Sequence, residues 1–346
     1  MERAELYQKI AGCLMAGALG DALGYEVEFI SWDAIRRRFG EGGIQNLVPE
    51  DGKARFSDDT QMTLFTNEGL VLGYRHKKQT GDTARAEYYI YQAYLCWLKT
   101  QDYYARKKKT MWDKESTLLP VPELNVNRAP GNTCLSALRS GEMGTMEEPL
   151  NHSKGCGGVM RSAPAGFTAF WGEPLLVGAA SGAITHGHPD GWIPAGMLSD
   201  IVYRIIYMEE KPLKEIVEDS LQAVQAAWGK TLPQTANFIR LVHRAMELAA
   251  GDIPDVDAIH SLGGGWVGDE ALAIAIFSCL RHPDDLTAAL ISAVNHSGDS
   301  DSTGAIAGNI LGARLGLDAI PPSWIQQLEL TDIILQQAED MTKMGQ

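Results

Sequence analysis

The sequence predicts an all-α protein, folded as a single compact helical bundle, and three observations carry that prediction. Apolar residues recur at helical spacing through most of the chain. Strand-type alternation and hairpin turn dipeptides are not evident. Two stretches, from Ala11 to Gly20 and from Gly304 to Ala313, are small on every side, as suits helices packed in the middle of a bundle. With no internal repeat and no long linker, residues 1–346 read as one domain.

Composition narrows the function. Apolar residues make up 45% and charged residues 21%, ordinary for a soluble globular chain with a sizeable core. A net charge of −14 and a pI near 5.0 argue against general binding to nucleic acid or anionic membrane. They leave room for a local basic pocket that takes a phosphorylated small molecule. The five cysteines (Cys13, Cys96, Cys134, Cys156 and Cys279) are odd in number and lack a C-x-x-C pair, so neither a disulfide framework nor a thiolate metal site is indicated. Residues 1 to 6 lack a signal pattern and no apolar run reaches membrane-spanning length, so a cytoplasmic location is expected.

In chain order, residues 3 to 23 form a helix with Leu6, Ile10, Leu14 and Ala18 on one stripe. Gly24 permits a turn, and Glu28 follows, either an active-site acid leaving a buried helix or a solvated loop residue. Residues 31 to 56 look irregular because Gly40, Gly42, Gly43, Pro49 and Gly52 interrupt any period. A helix runs from the Ser57-Asp58-Asp59-Thr60 stretch to about residue 74, and another spans 84 to 100. The aromatic stripe of the latter, Tyr88, Tyr89, Tyr91, Tyr94 and Trp97, reads as core. The basic run 106 to 109 reads as a solvated patch, and residues 110 to 132 as loop. A short helix to Arg139 precedes the glycine-rich stretch from Ser153 through Gly155, Cys156, Gly157 and Gly158. Its amides either face an anion or make a tight connection between helices.

The apolar helix 173 to 184 ends in Thr185-His186-Gly187-His188, which lacks a third zinc ligand at suitable spacing. Neutral imidazoles bonded to a ligand or to the backbone fit better. Helices follow at 191–208, 212–228 and 233–249, then a second glycine loop, Gly263 to Gly268, opening a buried helix with Asp269 and Glu270 in its first turn. Residues 284 to 295 are helical, and 321 to 343 form a short amphipathic tail.

Two acidic clusters are separated by most of the chain: Ser57-Asp58-Asp59 and Asp299-Ser300-Asp301-Ser302. Each opens an apolar helix. Taken singly, each is explained as a surface helix cap. Taken together they suggest a convergence of four carboxylates and several hydroxyls, which is costly without cations. Hard oxygen donors suit Mg²⁺, Mn²⁺ or Ca²⁺, and two ions would balance four carboxylates.

These motifs, in order, resemble the ADP-ribosylglycohydrolase family, which includes the dinitrogenase-reductase-activating glycohydrolase. The resemblance spans roughly residues 5 to 318. It rests on Gly20-Asp21-Ala22-Leu23-Gly24, Ser57-Asp58-Asp59-Thr60, Gly155-Cys156-Gly157-Gly158-Val159-Met160-Arg161, His186-Gly187-His188-Pro189, Gly265-Trp266-Val267 and Gly298-Asp299-Ser300-Asp301-Ser302. It implies an orthogonal all-α bundle with a binuclear metal site. The ligands to two Mg²⁺ ions, for which Mn²⁺ may substitute, would be Ser57, Asp58, Asp59, Asp299, Asp301 and Ser302. It also implies substrate contacts from Ser153, Gly155, Cys156, Gly157, Gly158 and His186. Where some relatives carry an adenine-stacking aromatic, this chain has Lys154.

The implied activity is Mg-dependent hydrolysis that frees ADP-ribose from a modified protein side chain. ADP-ribosyl-arginine is the leading substrate, through attack of a metal-oriented water at the anomeric carbon. Asp58, Asp59 or Glu28 would accept the proton. The alternatives are an ADP-ribosyl-serine or O-acetyl-ADP-ribose hydrolase, or a non-catalytic ADP-ribose-binding or toxin-neutralising immunity protein. The implied partners are an ADP-ribosylated protein and a cognate ADP-ribosyltransferase or toxin.

Overall fold

The computed structural model describes residues 1–102, 104–208 and 211–345. Among them are fifteen α-helices and no strand, only isolated β-bridges. The helices are α1 (Arg3–Tyr25), α2 (Trp32–Phe39), α3 (Asp58–Thr80), α4 (Ala86–Gln101), α5 (Asn132–Ser140), α6 (Pro174–Ala183), α7 (Pro189–Tyr207) and α8 (Leu213–Trp228). They continue with α9 (Gln234–Ala249), α10 (Asp255–Leu262), α11 (Gly268–Arg281), α12 (Leu286–Val294), α13 (Ser300–Leu315), α14 (Pro322–Gln327) and α15 (Thr331–Thr342). No described helix is long and apolar enough to cross a membrane.

The two small-residue helices find each other. α1 and α13 pack antiparallel at backbone contact: a Cβ built on Gly12 would lie 2.3 Å from Gly312 O, and one on Gly24 would lie 2.2 Å from Ser300 O. This pairing joins the two ends of the chain and sets the C-terminal end of α1 beside the N-terminus of α13. A Cβ on Gly304 would lie 2.4 Å from Gly20 O, an atom that cannot rotate away. Gly304→Ala is therefore expected to destabilise the fold by about 3 kcal/mol or more through overpacking. Urea denaturation checks this, and an unchanged midpoint would mean that the two backbones part freely.

α3 is locked to α1 by Asp21. Its Oδ1 accepts from the Ser57 amide at 2.8 Å, and its Oδ2 accepts from the Thr60 amide at 2.9 Å and the Thr60 hydroxyl at 2.5 Å. One buried carboxylate thus satisfies two amides around the α3 N-terminus, a capping role supplied from another helix. The C-terminal segment braces the approach. The buried Arg128–Glu329 pair holds Phe56 O through Arg128 Nη1 at 3.0 Å, and Ala54 N donates to Gln327 O at 2.7 Å.

Two short helices lie where the sequence suggested none. α2 lies in the segment expected to be irregular. Ser31 caps it through Ala34 N at 3.3 Å, Asp33 sits in its first turn, Arg36 to Arg38 sit in its last, and Gly40 stops it at φ 95°. α10 occupies residues between two predicted helices, and the tail divides into α14 and α15 at Leu330, whose φ is 51°. Most of the aromatic stripe of α4 is core as expected, with Tyr89, Tyr94 and Trp97 fully buried, but Tyr88 is exposed.

Candidate metal centre and substrate cleft

Both acidic clusters are carried by helix N-termini that meet. Ser57 is the N-cap of α3, its Oγ accepting from Asp59 N at 3.2 Å, and Asp58 and Asp59 fill the first turn. Asp299 is the N-cap of α13, with Asp301 in the first turn. The positive helix ends favour anionic charge at this point, although the first-turn amides of α3 are already engaged by Arg128 O, Ser57 Oγ and Asp21. Because Asp21 fixes α3 against α1, and α1 lies against α13, the two ends share one cleft of about 300 Å³.

Asp58, Asp59, Asp299, Asp301, Ser302, Glu28, Gly155, Cys156, Gly157 and His186 all line this cleft. Ligand atoms of Glu28, Asp299 and Asp301 lie within 4.8 Å of one another. Ser57, fully buried, stands just behind the lining. Ser153 and Gly158 stand behind it too. The Ser153 hydroxyl accepts from Gly155 N at 3.3 Å, and a Cβ on Gly158 would lie 2.5 Å from Gly191 O. The Cys156 amide donates to Trp266 O at 3.2 Å, so this amide and that of Gly155 are already engaged within the protein. The Cys156 thiol turns inward instead and donates to Asp299 Oδ2 at 2.6 Å. Lys154 turns away from the cleft, its Nζ 2.8 Å from Asp190 Oδ2.

No Lys or Arg among the described residues forms an ion pair with Asp21, Glu28, Asp58, Asp59, Asp299 or Asp301. Burial first, and then the charge of Asp301, pushes Asp58, Asp59 and Asp299 well above the usual carboxylate range. The same two causes raise Asp21 to about 7 and Glu28 to about 10. Asp59 Oδ2 is buried without any hydrogen-bond partner. Such a set holds too much like charge to be a structural network alone, and its donors are all hard oxygens. An orphaned carboxylate oxygen and mutually repelling acids fit the donor set of a divalent cation.

Phe29 and Ala129 were not singled out from the sequence. Asp21 and Trp266 stood within the motifs quoted above with no role assigned, and Asp21 is fully buried outside the cleft lining. Phe29 and Trp266 stack at the mouth, ring centroids 5.2 Å apart at 19°, with 69% and 43% of their surfaces exposed. Phe29 and Ala129, both lining the cleft, hold left-handed backbones at φ 62° and 51°. Strain of that kind, at non-glycine positions, often gathers at functional sites.

The fold and site thus define an all-α helical scaffold that gathers buried carboxylates from two helix N-termini in one cleft. The family model described as ADP-ribosylglycohydrolase matches residues 2–346, and the chain belongs to that family. It is thus a glycohydrolase of ADP-ribose linkages. It is 26% identical over 337 residues to the ADP-ribosyl-[dinitrogen reductase] glycohydrolase of Rhodospirillum rubrum, covering 94% of this chain and 92% of that one. An ADP-ribosylhydrolase of Dictyostelium discoideum is 23% identical over 380 residues, with 94% and 92% covered. A solved ADP-ribosylglycohydrolase-related protein complex shares the fold at a TM-score of 0.66 and 21% identity, covering 99% of this chain and 100% of that one.

Proposed function

We propose that this enzyme releases ADP-ribose from modified arginine side chains of proteins, using divalent cations, Mg²⁺ by preference, in the cleft between α3 and α13. The observation that carries the cation requirement is the set of unpaired buried carboxylates, with the orphaned Asp59 Oδ2 among them. Ser57, Asp58, Asp59, Asp299, Asp301 and Ser302 would hold two ions. When bound, these supply Lewis acidity toward the ribose hydroxyls and the attacking water. Glu28 stands apart in kind. It lies beyond the end of α1 and is less buried than the aspartates; cations bound beside it would offset the aspartate charge that helps raise its carboxyl, and so ionised it would take a proton from the attacking water. His186 and the Gly155–Gly157 turn bind the diphosphate-bearing part of the ligand.

Arginine is favoured over serine by the mouth. The exposed Phe29–Trp266 stack offers a flat π-surface beside an acidic cleft, which suits a planar cation that stacks as well as pairs. A hydroxyl-linked adduct gains nothing from it. A cognate ADP-ribosyltransferase would supply the modified protein, and five unpaired cysteines accord with a cytoplasmic setting.

The test is release of free ADP-ribose from ADP-ribosyl-arginine, ADP-ribosyl-serine and O-acetyl-ADP-ribose, with Mg²⁺, with Mn²⁺ and with EDTA. Arginine release should be fastest, nearly as fast in Mn²⁺, and lost in EDTA. Trp266→Ala should raise KM for the arginine conjugate about tenfold, about 1.4 kcal/mol, and leave the other two near wild type. Equal loss on all three conjugates would remove the arginine reading, and turnover in EDTA would remove the cation.

A further inference from the structure

Arg161 presents a physical puzzle. Its side chain is fully buried, and among the described residues no carboxylate pairs with it. Nη1 donates to Cys134 Sγ at 3.1 Å and approaches Met62 Sδ at 3.5 Å, and the guanidinium carbon lies 4.5 Å from the Tyr94 ring centre. Nη2 donates to Thr185 Oγ1 at 2.7 Å and to Ser181 O at 3.4 Å. Nε has no partner. The buried cation is thus held by sulfur, hydroxyl, carbonyl and ring contacts rather than by a carboxylate.

We propose that Arg161 is a positioning residue: acting through Thr185, it fixes His186 as the neutral tautomer with its hydrogen on Nε2, presenting an N–H donor to an acceptor oxygen of the bound ligand. The argument is an inventory of hydrogens. A guanidinium only donates, so the Thr185 oxygen accepts from it. Thr185 Oγ1 is also 2.8 Å from His186 Nδ1. One of these two atoms donates to the other. An Nδ1–H would point at an oxygen already facing a positive charge, whereas the threonine O–H, polarised by that charge, is the stronger donor. Cys134 Sγ, the hydroxyl's other neighbour, is a weak acceptor and already receives Arg161 Nη1. Nδ1 therefore accepts, and the ring hydrogen sits on Nε2.

Nε2 faces the substrate side. His186 lines the cleft, and Cβ atoms built on Gly155 and Gly157 would lie 3.2 and 3.1 Å from Nε2, so the glycines leave the ring edge uncovered. No described residue accepts a hydrogen bond from Nε2, although only 2% of His186 is exposed. An unpaired donor on a ring that lines the cleft is matched by a ligand acceptor. Burial, with Arg161 as the second cause, also holds the ring neutral, its pKa lowered to about 3. Only the identity of the acceptor, a diphosphate or ribose oxygen, rests on the proposed substrate. The tautomer does not.

The experiment uses the full chain labelled with ¹⁵N-histidine and free of ligand. Long-range proton–nitrogen correlations report which ring nitrogen carries hydrogen. The expected wild-type pattern is a protonated Nε2 and an unprotonated Nδ1, unchanged between about pH 5 and 8. Because Arg161 variants risk failing to fold, the switch is made at Thr185. Thr185→Val should mix the two tautomers and raise KM for ADP-ribosyl-arginine about tenfold, with kcat changed less than twofold. Thr185→Ser should restore both. A wild-type ring protonated on Nδ1, or on both nitrogens, overturns the proposal. A Thr185→Val spectrum identical to wild type overturns the relay, and an altered spectrum with unmoved KM overturns the ligand contact. Should the arginine conjugate prove not to be the substrate, the spectra still decide the tautomer.

Discussion

Asp301→Asn is expected to lose hydrolysis by three orders of magnitude or more, about 4 kcal/mol of transition-state stabilisation, while making the metal-free protein harder to unfold than wild type. The two effects have opposite signs because Asp301 is the electrostatic hub of the cleft. Its charge is among the causes that raise Asp21, Glu28, Asp58, Asp59 and Asp299. Removing that charge while keeping the shape relieves a buried repulsion that nothing in the polypeptide offsets. It equally removes a ligand from the proposed cation site, so Mg²⁺ should no longer raise the melting temperature of the variant. Measured together, activity, metal-free melting and Mg²⁺-induced melting shift separate a binding role from a structural one. A variant that is inactive and also less stable without metal would show Asp301 to be a packing residue.

The parts of the fold legible in the sequence were those where one physical signal dominated. The α1–α13 contact was foreshadowed by two helices with glycine or alanine on every face, which can be buried only against backbone. That these two would pair with each other does not follow from either alone. It required Gly12 to meet Gly312 and Gly24 to meet Ser300 along the C-terminal half of α1. The acidic clusters were legible for the same reason: two carboxylates at the mouth of a buried helix exceed what a cap needs. α2 was obscured by competition. Ser31, Asp33 and Arg36 to Arg38 spell out a short amphipathic helix, but the glycines at 40, 42 and 43 drew the whole segment into a loop reading.

Other parts of the site depend on geometry that no local pattern encodes. Asp21 acts on amides 36 and 39 residues away, so its role in holding α3 is a tertiary fact. The Phe29–Trp266 stack joins residues far apart in the chain: Trp266 lies in a recognisable glycine loop, but nothing local pairs it with Phe29. In the glycine-rich loop the sequence pointed to a segment that lines the cleft, through Gly155, Cys156 and Gly157, but not to what its groups do there. The Gly155 and Cys156 amides serve the protein, and Cys156 contributes a thiol against Asp299, which counting glycines does not foresee.

Without divalent cations, the melting temperature is expected to fall as pH rises from about 7 to 8.5; with Mg²⁺ present it should hold or climb. The sign follows from linkage. Asp58, Asp59 and Asp299 are raised well above the usual carboxylate range, and Glu28 is raised to about 10. Between the ordinary value near 4 and those raised values, the folded chain binds more protons than the unfolded one, so folding weakens as pH increases. Each proton so retained costs about 1.4 kcal/mol per pH unit across its window. Asp21, raised to about 7, completes most of its contribution below this range. His186 and His296, lowered to about 3 and about 4, act in the opposite direction, but their window closes near the ordinary histidine value of about 6.5. Cations reverse the trend because they bind the deprotonated ligands and compete with the protons. Adding Mg²⁺ at pH 7.5 in weak buffer should therefore release protons, and the amount released should fall as pH rises. Melting curves in EDTA and in Mg²⁺ that run parallel across this range would mean that the buried acids are not the cation site, whatever their proximity.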